Sequence, residues 1–256
     1  MEYASKVGIA GVGTVGSSVH ALFTDAVLYD PPKGHLGNLD DCEVVFVAVP
    51  TPTTLGRVDV SIVEHIVQTF DPGIFVVRST VPPGTSSSLA RKHDKEIVFQ
   101  PEYLGMTPGH AYASDRDVPF VILGDTWQRR ASASRVVAQL YRDALPAETA
   151  FHFTSAVTAE LVKYMTNTFL ALKVEFINEM FDAATELDVD YDQLRELWLL
   201  DPRIGRSHTA VNPNDRGFGG LCFPKDVAGL VGWADDFGVS LPVLLAAHLA
   251  NVERRP

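Results

Sequence analysis

The chain has 256 residues, 46% of them hydrophobic and 21% charged, which is enough to bury one large core or two moderate ones. Its formal charge of -11 speaks against a nucleic-acid-binding surface, which needs a net or local excess of Lys and Arg. Two cysteines far apart, Cys42 and Cys222, make no disulfide framework, and no apolar run approaches the ~20 residues of a bilayer span. With no basic, uninterrupted apolar leader at the N-terminus, the expectation is a cytoplasmic protein with neither nucleic acid nor membrane as partner.

Short β-branched runs alternate with helical patterns through the first part of the chain. Strands are expected at Lys6–Ala10, Val27–Asp30, Val44–Val49, Ile74–Arg78, Glu96–Gln100 and Phe120–Leu123, most of them continuously apolar as in parallel strands buried on both faces. Helices are expected between them, at Thr14–Phe23, Val60–Phe70 and Trp127–Arg142. Asp30 to Val44, with Pro31, Pro32, Gly34 and Gly37, is too short and broken for a crossover helix and reads as an irregular loop. After about residue 150 no further strand is expected, and Phe151–Thr154 reads as a connection. Ser155–Leu187 follows as one long helix with an apolar stripe of Met165, Phe169, Leu172, Phe176 and Met180. Helices at about Asp190–Leu200, Asp226–Phe237 and Leu241–Glu253 complete the chain, with a Gly- and Pro-rich loop over Asp201–Pro224. The fold class is thus α/β: a Rossmann-type doubly wound parallel sheet over 1–153, then an all-helical domain over 154–256.

Gly11-Val12-Gly13-Thr14-Val15-Gly16 follows an apolar strand and opens a helix. The first glycine permits the turn, the second lets backbone approach a pyrophosphate, and the third lets helix pack on strand. Asp30 closes the next strand where an acid binds ribose hydroxyls and repels a 2′-phosphate, so NAD is expected over NADP. Lys33 either softens that preference or sits solvated in its loop. The loops at Val49-Pro50-Thr51-Pro52-Thr53 and Ser79-Thr80-Val81-Pro82-Pro83-Gly84-Thr85 close two further strands, and each is either a proline turn or a wall of the cofactor cleft. Gln100-Pro101-Glu102-Tyr103-Leu104 sets a carboxylate at the same edge.

On the long helix, Glu160, Lys163 and Asn167 form a polar stripe, either a solvated face or an amine and amide placed to stabilise an oxyanion. Gly217-Phe218-Gly219-Gly220-Leu221-Cys222-Phe223-Pro224-Lys225-Asp226 puts a cysteine in a glycine-rich bend before a new helix. A thiol is nucleophilic as thiolate, which nearby cations and helix N-termini favour. None of the eight histidines has ligand-like partners at metal spacing, so no metal is expected, and Cys42 reads as inert.

Taken together, the chain resembles the nucleotide-sugar dehydrogenase family, typified by UDP-glucose 6-dehydrogenase and GDP-mannose dehydrogenase. The carriers are Val47–Pro52, Ser79–Thr85, Pro101–Leu104, Ala159–Tyr164 with Asn167, Phe176–Glu179, Asp201–Gly205 and the decapeptide Gly217–Asp226. The resemblance implies a four-electron, NAD-dependent oxidation of a primary alcohol to a carboxylate through a Cys222 thiohemiacetal and thioester. It implies that Lys163 and Asn167 stabilise the oxyanion, that Asp226 supports water and base chemistry, and that Thr80 lies near the reacting carbon. Glu102, Tyr103, Leu104, Gly219 and Gly220 would line the substrate, Lys225 would lie with Val49, Pro50, Thr51 and Ser79 at the cofactor, and Arg203 would reach the substrate of a neighbouring subunit in a homodimer built on the long helix.

Three departures from the pattern stand out. Met106 replaces a glutamate associated with activating water, which would slow hydrolysis or leave it to Asp226 or Glu102, the Asp30–Val44 loop is short, and the family continues into a third α/β domain beyond the position of Pro256. Two alternatives stay open: a two-electron dehydrogenase of a smaller hydroxy substrate, like the β-hydroxyacid dehydrogenases, or a non-catalytic NAD-binding subunit.

Overall fold

The protein is described as a computed structural model over residues 6–105, 110–126 and 133–255. It is α/β and Rossmann-type, with a doubly wound sheet followed by a helical region. In chain order the elements are β1 Val7–Ala10, α1 Thr14–Leu22, β2 Val27–Asp30, β3 His35–Leu36, β4 Val44–Val47, β5 Thr53–Thr54, β6 Arg57–Val58, α2 Ser61–Thr69, β7 Ile74–Val77, α3 Thr85–His93, β8 Ile97–Phe99, β9 Phe120–Asp125, α4 Ala133–Arg142 and β10 Ala150–Ser155. Then come α5 Ala156–Glu186, α6 Tyr191–Trp198, α7 Phe223–Asp236 and α8 Pro242–Arg254. The chain divides into two compact units, Met1–Pro52 with Val58–Lys163, and Thr53–Arg57 with Tyr164–Pro256.

In the first unit the sheet runs β10-β9-β8-β7-β4-β1-β2-β3. The chain winds outward from β1 in one direction, returns to β4 on its other side, and winds outward again. The loops after β1, β4, β7 and β8 therefore share the carboxyl edge of four mutually parallel strands. Side-chain alternation builds the core on both faces. Val45, Val47, Phe75, Val77, Ile97 and Phe99 meet α2 and α3, while Val44, Phe46, Ile74, Val76 and Val98 meet α1 and α4. Each of these buried side chains contributes roughly 1.5–3 kcal/mol relative to exposure.

Three sequence expectations change here. Ala150–Ser155 is a strand, not a connection, and pairs in parallel with β9 from Ala150↔Phe120 to Ser155↔Asp125. The sheet is mixed, because β9 runs antiparallel to β8. The Asp30–Val44 interval is not wholly irregular: Pro31–Lys33 forms a 3-10 turn and β3 pairs antiparallel with β2. The expected helix start at Trp127 lies outside the described residues. Helix α3, unassigned from sequence, has no side-chain cap of its own at Gly84; the buried Glu160 carboxylate caps it, accepting from Gly84 N at 2.6 Å and Ser86 N at 2.8 Å.

In the second unit, Tyr164 and Ala171 of α5, Phe218 of the loop before α7, Val227 and Leu230 of α7, and Leu244 of α8 form the core. The β5–β6 hairpin belongs here through Gly56, which sits against α7: a Cβ on Gly232 would lie 2.0 Å from Gly56 O. No helix of the described residues is long and apolar enough to cross a membrane.

Candidate active site

The glycine fingerprint is built from backbone contacts. Gly11 has φ +87, and a Cβ there would come within 2.4 Å of Ala48 O. A Cβ on Gly16 would fall 1.9 Å from Gly11 O, so helix and turn touch through backbone alone. At Gly13 a Cβ would meet nothing within 4 Å, and α1 starts there without a side-chain cap, which leaves space and N–H donors for a phosphate. Val12 N–H donates to Asp30 Oδ2 at 2.8 Å, which draws the β2 acid onto the turn. Lys33 is not simply solvated: its Nζ reaches back to Val12 O at 2.5 Å. Thr14 and Val15 open α1 beyond the turn. The residues present fit a dinucleotide.

The next two loops are stitched together at the same sheet edge. Ser79 Oγ accepts from Val49 N–H at 3.0 Å and donates to Val49 O at 2.7 Å, while Thr51 Oγ1 donates to Thr80 O at 2.8 Å. Thr51, Ser79 and Thr80 are buried, and Pro50 lies exposed between the stitched residues. Glu102 is buried rather than solvent-facing. Its Oε1 accepts from Lys163 Nζ at 2.7 Å, its carbonyl accepts from the same ammonium at 2.6 Å, and its Oε2 accepts from Leu104 N–H. Tyr103 lies beside this pair, its ring centroid 5.8 Å from Lys163 Nζ. Burial, then the Glu102 charge, pushes its phenol up to about 12. Met106 lies outside the described residues.

Behind these loops is a buried network that the sequence reading missed. Arg78 pairs with Asp115 at 2.7 Å and donates to Tyr141 Oη at 3.3 Å, and Tyr141 Oη donates to Gln100 Oε1 at 2.8 Å. Asp115 also accepts from Ser18 of α1 at 2.7 Å. Burial works against the Arg78 charge, but Asp115, Tyr141 and Glu102 together outweigh it and the guanidinium stays protonated. Arg78 and Gln100 sit directly before the Ser79–Thr80 and Glu102 segments, so the network locks the bases of both. The available signal was an arginine closing a fully apolar strand, since a buried charge needs a partner.

The second unit carries the remaining candidates. Asn167, on α5, donates from Nδ2 to Asp226 Oδ2 at 2.6 Å, and Lys225 Nζ contacts Asp226 Oδ1. Asp226 is buried in the first turn of α7, while Cys222 is exposed at its N-cap position. Gly220 has φ +76, which favours glycine, and Gly219 lies against the Arg255 guanidinium. Arg203 is exposed and paired with Asp201.

Along α5 the two stripes lie opposite to a simple solvated-face reading. Glu160, Lys163 and Asn167 are buried, whereas Met165 and Phe169 are 70% and 62% exposed.

Residues 35–145 match the NAD binding domain of the UDP-glucose/GDP-mannose dehydrogenase family, and residues 157–253 match its central domain. The chain belongs to this family. NAD is accordingly its cofactor. The chain is 30% identical over 220 residues to a UDP-glucose 6-dehydrogenase of Rickettsia typhi, a match covering 82% of this chain and 49% of that protein. It is 29% identical over 243 residues to that of Rickettsia prowazekii, covering 91% and 54%. The chain thus spans about half the length of these relatives. Among solved structures it resembles a UDP-glucose dehydrogenase of Pyrobaculum islandicum, with TM-score 0.76, 23% identity, and coverage of 99% of this chain and 69% of that one. A UDP-D-ManNAc dehydrogenase of Pyrococcus horikoshii gives TM-score 0.78, 23% identity, and 97% and 68% coverage. Both likenesses show the fold.

Proposed function

We propose that this chain carries the chemistry of a nucleotide-sugar 6-dehydrogenase, oxidising a primary alcohol to the carboxylate in two two-electron steps. The observation that carries this reading is the exposed Cys222 at the start of α7, with Asp226 buried one turn on and held by Asn167. NAD, when bound, supplies the hydride acceptor for each step. Gly11–Gly16 and Asp30 hold it, and Val49, Thr51, Ser79 and Thr80 form the adjoining wall.

Cys222 Sγ adds to the aldehyde carbon to give a thiohemiacetal, and oxidation of that adduct leaves a thioester. Water then cleaves the C–S bond, releasing the acid and restoring the thiol. Among the described residues, Glu102 takes two of the three N–H donors of Lys163, and the third serves the developing oxyanion together with the Asn167 amide. Asp226 and Glu102 are the carboxylates for proton transfer and for water. Tyr103, Leu104, Gly219 and Gly220 border the sugar, and Arg203 reaches a partner's substrate. The exposed Met165, Phe169, Phe176 and Met180 of α5 support a homodimer on that face. Residues 1–153 serve as the cofactor domain and 154–256 as the substrate and dimer domain.

The test is NADH release with UDP-glucose. Two NADH per sugar are expected from the unaltered enzyme, and turnover to the carboxylate should fall by roughly 10³-fold or more in Cys222→Ala. An unchanged rate in that variant would sink the thioester route, and one NADH per sugar would mean an enzyme that stops at the aldehyde.

A further inference from the structure

The loop carrying Cys222 is anchored upstream by two buried amides. Asn251 of α8 holds Phe218 by both backbone groups: Phe218 N–H donates to Asn251 Oδ1 at 2.7 Å, and Asn251 Nδ2 donates to Phe218 O at 3.0 Å. Asn178 of α5 holds the two preceding residues, its Oδ1 accepting from Arg216 Nε at 2.6 Å and Gly217 N–H at 3.2 Å. Both amides are buried, at 6% and 3% exposure. Only a side chain with donor and acceptor on one rigid group can meet the N–H and the C=O of one residue together.

The surroundings constrain this segment further. Gly217 has φ +74, and a Cβ there would lie 2.5 Å from Asn251 Oδ1 and 3.1 Å from Glu175 Oε1. The Phe218 ring is buried in the core beside Val227 and Leu230 of α7. Beyond it the chain turns outward, with Leu221 82% exposed before Cys222. The loop is therefore tied at residues 216–218 and at the first turn of α7, with the thiol in the short stretch between.

We propose that Asn251 and Asn178 are positioning residues for Cys222, fixing the upstream foot of its loop so that the thiol is presented at the N-terminus of α7. This rests on the reading of Cys222 as nucleophile. The test compares Asn251→Ala and Asn178→Ala with Leu244→Ala, a core truncation in the same unit. It reads kcat, KM for NAD, thermal midpoint, and iodoacetamide alkylation of Cys222 followed by peptide mass spectrometry.

The asparagine variants are expected to lower kcat by about tenfold or more and to change Cys222 alkylation by about fivefold, with KM for NAD within about twofold. Leu244→Ala, at an equal or larger drop in midpoint, is expected to leave alkylation within about twofold. Should Asn251→Ala fail to fold, Asn251→Asp carries the same test, since it keeps the acceptor for Phe218 N–H and loses the donor. Alkylation at the wild-type rate in the asparagine variants, or an equal change in Leu244→Ala, overturns the proposal. Full NADH release by Cys222→Ala would instead overturn the catalytic reading, whereas an inactive Cys222→Ala beside fully active asparagine variants overturns this inference alone.

Discussion

Gly11–Gly16 and Gly217–Gly220 are both glycine-rich turns that lead into a helix, yet they are held differently. In the first, the glycines meet backbone: Gly11 faces Ala48 O, and Gly16 faces Gly11 O. In the second, Gly217 meets side chains, those of Asn251, Glu175 and Arg254, and Gly219 meets that of Arg255. A backbone wall cannot move without moving a strand, whereas a side-chain wall can rotate. The cofactor turn is therefore rigid by local sterics, and the cysteine loop is only as rigid as the amides that clamp it.

The comparison can be broken first at the charge beneath the cofactor side. Asp115→Ala leaves Arg78 buried without its counter-ion and is expected to cost about 3–5 kcal/mol, read by urea unfolding. A loss below about 1 kcal/mol would mean that water replaces the carboxylate. Gly16→Ala comes next, at about 3 kcal/mol, because its Cβ collides with a carbonyl that cannot yield. Gly217→Ala should cost less, about 2 kcal/mol, since the wall it meets is a side chain that yields by loosening its bonds to Phe218, with the positive φ adding the rest. Equal costs at the two glycines would erase the distinction between backbone and side-chain walls.

Gly13→Ala sharpens the same contrast without unfolding anything. Its Cβ meets open space, so stability should stay within about 0.5 kcal/mol. NAD affinity, by calorimetric titration, should fall by about tenfold or more because that space is where the pyrophosphate approaches. The smallest effect is expected from Asp182, whose carboxyl is held below its usual range. Burial opposes that shift, but hydrogen bonds from Arg216 and Arg254 outweigh it. A depressed folded pKa means stability present above the ordinary carboxylate value and lost as pH falls through the folded one. Asp182→Asn should flatten that acid limb of the thermal midpoint, and an unchanged limb would show that the pairing adds no net stability.

How much could be read in advance depends on how local the cause is. β4 and β7 were legible because Val44–Val47 and Ile74–Val77 are buried on both faces and so must be apolar throughout. β10 was not, because Phe151 and Phe153 alternate with His152 and Thr154, as an edge strand covered on one side allows. The sheet's antiparallel step at β9 was likewise invisible, since strand direction is decided by where the chain returns.

The glycine fingerprint, the strand-end loops and the cysteine decapeptide are contiguous, so their chemistry lies open in the order of residues: backbone freedom at Gly11 and Gly217, a thiol at Cys222, carboxylates at Glu102 and Asp226. The sequence by itself determined which groups are present and which turns only glycine permits. Tertiary structure alone decided their partners. It set Glu102 on Lys163, Asp115 on Arg78 and Asn251 on Phe218, pairs separated by 33 to 61 residues along the chain. It also turned the polar face of α5 inward and its apolar face outward, because burial is settled by what packs against a helix.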